Sequence, residues 1–282
     1  MKKAIFNIYR RLASMLAGHH LGAFYPLRMA SNFILGHLRD ENAPIIINGQ
    51  QMFLDKQDSL RLSVHLHESF ELEIIKQEVK AGDMVLDIGA HIGYFTLPLA
   101  ELVGSRGKVF AFEPNPENFL ILKKNVQVNN HNNAFLYNLA ADKVRGVKKF
   151  YLCNSSSGSS FFGNEKNRPS LQVKTDRLDD ILADKVTSVN FIKMDIEGAE
   201  PLALKGMEKI IGQSKNLKML IEFYPKILKI GGTEPQDFLE QLTGYGFKLY
   251  VLNKNTRRLA SVDQIMRAYP FTCAGNLFCI KN

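Results

Sequence analysis

The sequence predicts an α/β protein built on a doubly wound, mostly parallel Rossmann-like sheet, preceded by an N-terminal helical and hairpin extension. Three observations carry that prediction. From Met84 onward, short apolar runs alternate with longer helical patterns, as parallel strands covered by helices on both faces require. Two of those runs end in an acid and then a glycine, VLDIGAHIG and FIKMDIEG, the look of strand-to-helix turns at a ligand edge. At 282 residues the chain is long enough for one such domain and an extension.

The extension is assigned to residues 1–62 and the sheet domain to 63–282. Before Asp40 the charged residues are Lys2, Lys3, Arg10, Arg11, Arg28 and Arg39, with no acid among them. Ile5, Ile8, Leu12, Met15 and Leu16 recur at helical spacing, so a basic amphipathic helix is expected there. In PIIINGQQMFLD, Asn48 and Gly49 separate two apolar runs and signal a two-residue hairpin, since both turn positions need positive φ. Residues 68–79 read as a helix with Phe70, Ile74 and Ile75 on one side. Strands are then expected at 84–88, 108–112, 134–139, 147–153, 171–174, 189–194, 218–223, 247–252 and 277–280. Helices are expected at 94–103, 116–129 (opened by a proline in its first turn), 199–211 and 235–245.

Composition narrows the classes. No apolar run approaches the ~20 residues of a membrane-spanning helix, and Arg10 and Arg11 interrupt any signal-peptide core, so the expectation is a cytoplasmic protein. Cys153, Cys273 and Cys279 lack metal-ligand spacing and are expected to be reduced core thiols. A net charge of +8 permits a nucleic-acid, phosphorylated or anionic-membrane partner. The basic N-terminal helix is expected to dock on its own domain, with peripheral membrane contact as the alternative.

The first acid-tipped loop lacks the G-x-G-x-x-G dinucleotide pattern and the Lys-Ser/Thr of a phosphate loop. Asp87 at its strand end would repel a pyrophosphate and suits a ligand bearing an ammonium and a sulfonium, while Gly89 and Gly93 let backbone approach that ligand. Glu113 closes the next strand about twenty residues on, where an acid in this fold meets ribose hydroxyls. Helix capping before Pro114 is its structural alternative. In the second loop, Asp195 and Glu197 precede Gly198, and Glu222 ends the following strand. Those three acids are expected to share one cleft. All are oxygen donors that suit Mg²⁺, but the sequence requires no metal and none is assigned.

GDMVLDIGAHIGYF, FAFEPNPENF, VKTDRLDDIL, VNFIKMDIEGAE and LIEFYP, in this order, resemble the FkbM family of methyltransferases over roughly residues 45–251. The resemblance implies a class I methyltransferase sheet, S-adenosyl-L-methionine as donor, and O-methylation of sugars or metabolites. It implies a donor site from Glu68, Asp87, Gly89, Ala90, His91, Gly93, Glu113, Pro114, Asn115, Asn138 and Ala140, with His91 where Asn is common. Asp195 and Glu197 match the family's signature acids beside the transferred methyl, and with Glu222 from the next strand end they are the expected catalytic acids, with Asp195 first as the base, Glu197 second and His91 a distant third. The acceptor is therefore expected to be a hydroxylated small molecule or glycan. RNA methylation is the alternative that the charge favours, and a non-catalytic donor-binding scaffold is the other. Asp195-Ile196-Glu197-Gly198 is unlike the Asn/Asp-Pro-Pro-aromatic run of amino-group methylases, and neither loop looks decayed.

Overall fold

In the computed structural model, the structure describes residues 40, 42–56, 58, 60, 62, 69–152, 160–162, 168–253 and 256–281. The expected N-terminal helix, Glu68 and Cys153 lie outside these residues. The chain divides into two compact units, Met1–Ser69 and Phe70–Asn282. In the first, β1 (Ile45–Ile47) and β2 (Gln50–Met52) pair antiparallel. Asn48 (φ 50°) and Gly49 (φ 83°) both take the left-handed conformation that the Asn-Gly turn demands.

The second unit begins with α1 (Ser69–Glu78), β3 (Met84–Ile88), α2 (Thr96–Val103), β4 (Lys108–Phe112), α3 (Pro116–Val128) and β5 (Ala134–Tyr137). A small sheet follows from β6 (Ala140–Ala141), β7 (Gly146–Tyr151) and β8 (Ser170–Asp176), ordered β6-β8-β7. The chain continues through α4 (Leu178–Ile181), β9 (Phe191–Met194), α5 (Glu200–Lys205), α6 (Glu208–Gln213), β10 (Lys218–Phe223) and α7 (Pro225–Ile230). It closes with α8 (Pro235–Gly244), β11 (Phe247–Asn253), β12 (Thr256–Leu259), α9 (Val262–Ala268) and β13 (Gly275–Lys281).

The main sheet runs β12-β11-β13-β10-β9-β3-β4-β5. Strands β3, β4, β5, β9 and β10 are parallel, and β13 runs antiparallel to both β10 and β11. Winding goes outward from β3 through β4 to β5, then returns to β9 and outward again to β10. The switch point therefore lies between β3 and β9, where crevices open beyond the strand ends. At the opposite end of that pair the strands are clasped. The Met84 amide donates to Asn190 Oδ1 at 2.9 Å, and the Asn190 amide donates to the Met84 carbonyl at 2.9 Å.

Side chains alternate across a strand, and the register sorts them. Leu86, Ile88, Ile192, Met194, Met219, Ile221 and Phe223 belong to one buried apolar cluster on one face. Asp87 and Lys193 are paired neighbours on the other face, so the polar residues near the strand ends are confined to a single side.

The expected helix 199–211 is two helices, because residue 206 is pressed against the Asp142 carbonyl: a Cβ there would stand 2.0 Å from that oxygen. Helices α4, α7 and α9 and strands β6 and β12 were not expected. The proline at the start of α7 and the Ser261–Gln264 capping box of α9 are their readable signals. Cys279 is buried as expected, but Cys273 is exposed, since it sits in a surface turn closed onto the Pro270 carbonyl. Among the described residues, no helix is long and apolar enough to cross a membrane.

Candidate functional site: two acid-tipped loops at the switch point

The first loop leaves β3 at Ile88. The Gly89 and Ala90 amides both donate to the Phe112 carbonyl at 3.0 Å, which folds the loop over the end of β4. Asp87 is fully buried, and its Oδ2 accepts the Thr96 hydroxyl hydrogen at 2.5 Å. Its Oδ1 is buried with no hydrogen-bond partner. Burial pushes the Asp87 carboxyl up, with Lys193 and the Thr96 hydroxyl opposing.

Glu113 ends β4 and is buried. Its Oε2 accepts from the His91 amide at 2.9 Å and its Oε1 from the Asn115 amide at 2.8 Å, so the acid bridges the first two strand-end loops. Burial raises its carboxyl to about 7, against those two amides and the Asn118 side chain. A carboxylate has about four acceptor directions, so these three donors leave about one open to a ligand hydroxyl. His91 takes φ 50°, which turns its amide toward Glu113. Asn115 caps α3 by accepting from the Glu117 amide, and Pro114 lies between Glu113 and Asn115. Asn138 donates to the Glu113 and Pro114 carbonyls at 2.8 and 3.2 Å, fixing the end of β5 to the end of β4. Ala140 is buried in β6.

The second loop is joined to the first. The Asp195 amide donates to the Ile88 carbonyl at 3.1 Å. A Cβ on residue 89 (φ 84°) would stand 2.0 Å from the Asp195 carbonyl oxygen, so only glycine lets the two loops touch there. Glu197 (φ 54°) and Gly198 (φ 91°) make the tight exit. Glu200, buried, accepts from the Ile196 amide at 2.9 Å and clamps the loop.

Around this loop the acids gather. Burial first, then the charges of Asp195 and Glu200, raises Glu197 to about 8. Burial also raises Glu200 to about 7. Glu222, near the C-terminal end of β10, is pushed well above the usual carboxylate range by burial and by Asp195, Glu197 and Glu200. Its residue surface is half-buried, but Oε2 is shielded and has no hydrogen-bond partner. Asp195 is partly exposed and receives the Lys193 ammonium at 3.4 Å. Among the described residues, no group of three His, Cys, Asp or Glu side chains has metal-holding geometry.

The structure thus brings Asp87, Asp195, Glu197 and Glu222 to one strand edge, with Glu113 beside Asp87. Sequence reasoning passed over Lys193, Thr96 and Arg168. Lys193 had a signal, a cation inside the buried run FIKM; Arg168, whose charge lowers the Glu197 carboxyl, had none.

A doubly wound sheet with a reversed strand between β10 and β11 is the class I methyltransferase fold. The chain belongs to the FkbM family of S-adenosylmethionine-dependent methyltransferases, whose domain model, Methyltransferase FkbM domain, matches residues 87–249. It is 28% identical over 185 residues to a hexuronic acid methyltransferase, AglP, of Haloferax volcanii, a match covering 61% of this chain and 66% of that protein. It is 27% identical over 146 residues to Methyltransferase 1 of Beauveria bassiana, covering 44% of this chain and 58% of that one. The matches thus span about three fifths to two thirds of the length of these curated relatives. Among solved structures it is similar to the O-methyltransferase from Bacillus cereus in complex with SAH, at 14% identity and TM-score 0.47, over 78% of this chain and 84% of that one.

The cofactor, S-adenosyl-L-methionine, fits the first loop on one observation. Asp87 Oδ1 is a shielded acceptor lacking a donor, which is costly in a protein interior and is relieved by a ligand ammonium.

Proposed function

We propose that this methyltransferase methylates a hydroxyl oxygen of a sugar-type acceptor, with Asp195 orienting and deprotonating that hydroxyl. The observation that carries the reading is the convergence of Asp195, Glu197 and Glu222 at the switch point, with Glu222 Oε2 shielded and lacking a partner. Shielded carboxyls with raised affinity for protons make hydrogen-bond donors for hydroxyl or ring oxygens. The likeness to a hexuronic acid methyltransferase supports a sugar.

On this reading, Asp87 takes the donor's ammonium and Glu113 accepts from a ribose hydroxyl. Gly89, Ala90, His91 and Gly93 wrap the methionine part, and Pro114, Asn115, Asn138 and Ala140 border the adenosine. Glu68 is retained as a donor-site residue from the sequence alone. The bound donor supplies an activated methyl group. The protein's part is alignment, which in favourable systems is worth on the order of 7–11 kcal/mol, and removal of one proton.

A screen with labelled donor against uronate-bearing glycans, neutral glycosides, small hydroxylated metabolites and tRNA tests this. An alkali-stable methyl ether on a sugar is the expected product. An alkali-labile methyl ester, or label on tRNA bases, would overturn the hydroxyl assignment.

A further inference from the structure

Lys193 occupies a place where a cation is seldom found. It lies between Ile192 and Met194 in a strand whose four residues are all buried, and its side chain is 6% exposed. Charged side chains so deep are rare unless paired. The ammonium sits 3.4 Å from Asp195 Oδ2 and 4.8 Å from the centre of the Phe95 ring. Lys193 is also the register partner of Asp87, so its stem runs beside the donor-loop acid while its head reaches the acceptor-loop acid. Phe95 immediately precedes α2 and its neighbour Thr96 binds Asp87, so one turn of chain fixes both acid and cation.

Apart from the Phe95 ring, the elements around this head present acids. Asp87 comes from β3, Asp195 and Glu197 from the second loop, and Glu222 from β10, while Glu200 opens α5 just behind that loop. Glu113 at the end of β4 faces Asp87, and Arg168, ahead of β8, acts on Glu197. Carboxyls this crowded cannot all ionise. The buried ammonium is tied to one of them, Asp195, by the 3.4 Å ion pair.

We propose that Lys193, clamped between Phe95 and Asp195, is a positioning residue for methyl transfer that keeps the Asp195 carboxylate charged and aimed at the acceptor hydroxyl. This rests on the reading of Asp195 as the base. In the step, the hydroxyl oxygen forms a bond to the methyl carbon, and the carbon–sulfur bond breaks with its electron pair passing to sulfur. The hydroxyl proton goes to Asp195.

Carbon-13 NMR of aspartate-labelled protein tests the proposal without knowledge of the acceptor. The Asp195 signal is assigned by its loss in Asp195→Asn. In Lys193→Met its titration midpoint should rise by about 1–3 pH units, the usual effect of losing an adjacent opposite charge. In Lys193→Arg it should stay near wild type, and S-adenosylhomocysteine affinity should be little changed in both. An unmoved midpoint in Lys193→Met overturns the proposal. If that variant does not fold, Lys193→Gln, which keeps a hydrogen-bond donor without the charge, takes its place with the same two outcomes. Turnover separates the two readings. Wild-type turnover in Asp195→Asn removes the base and leaves the NMR result to decide whether Lys193 governs Asp195.

Discussion

Gly89 and Asp195 meet backbone to backbone, so that any side chain at position 89 would drive its first carbon to 2.0 Å from the Asp195 carbonyl oxygen. The contact joins the loop that receives the donor to the loop that carries the acceptor acids. Gly89→Ala should therefore destabilise the fold by roughly 2–5 kcal/mol, adding overpacking to the strain of a positive φ. Gly82 offers the control: its φ is 94° and nothing lies within 4 Å of its missing Cβ, so Gly82→Ala should cost only about 1–2 kcal/mol. Thermal denaturation of both variants checks this. Equal losses would mean that the two loops separate without penalty.

Glu113 has two duties to disentangle, since it already holds the His91 and Asn115 amides. Glu113→Ala should weaken S-adenosylhomocysteine binding by about 1.5–3 kcal/mol if a ribose hydroxyl depends on it. The carboxylate is the accepting form, and burial holds the acid's proton to about pH 7. Donor affinity should therefore rise as pH passes upward through 7 and fall below it. Calorimetry at pH 6 and pH 8 checks the trend, and a Glu113→Gln variant with the same pH dependence would remove Glu113 as its source.

Asp195→Asn preserves size and hydrogen bonding while removing the charge. Donor affinity should remain near wild type, and turnover should drop by about 10²-fold or more, the low end for loss of a general base. If Asp195 served only to cap the following turn, Asn would do nearly as well. Single-turnover methyl transfer beside donor calorimetry distinguishes the two roles.

Stability should also depend on pH in an unusual direction. Glu113, Glu197 and Glu200 hold protons to about pH 7, 8 and 7 in the folded protein, against about 4.5 for an ordinary glutamate. The folded state thus binds more protons than the unfolded one between those values. The stability they contribute is fully present below about pH 4.5 and lost as pH rises through 7 to 8. The donor-free protein should melt at lower temperature at pH 8 than at pH 5.5, and Glu200→Gln should flatten that slope. A Glu200→Gln profile as steep as wild type would exclude Glu200 from it.

Much of this architecture was legible because the relevant strands are buried on both faces and read as unbroken apolar runs. MVLDI, KVFAF and KMLIEF begin and end where the sequence says they should. Asn48-Gly49 was equally plain, since few other pairs accept two positive φ angles. The single helix expected at 199–211 failed because the Asp142 carbonyl, distant in sequence, approaches Gly206. Asp87, Asp195, Glu197 and Glu222 could be placed on one edge from topology alone. What topology cannot supply is pairing: that Thr96 takes one oxygen of Asp87, or that a lysine between two core residues turns toward Asp195.

The reciprocal clasp between Met84 and Asn190 closes across 106 residues. Contacts so remote in sequence carry a large loop-closure cost and slow folding. Both acid-tipped loops hang from the strand pair that this clasp begins. During synthesis, the segment through β8, which includes the Asp87 loop, can leave the ribosome before Asp195 has emerged. The emerging chain cannot hold donor and acceptor acids together until β9 inserts beside β3. That insertion, rather than completion of either loop, is the moment at which a catalytic edge first exists.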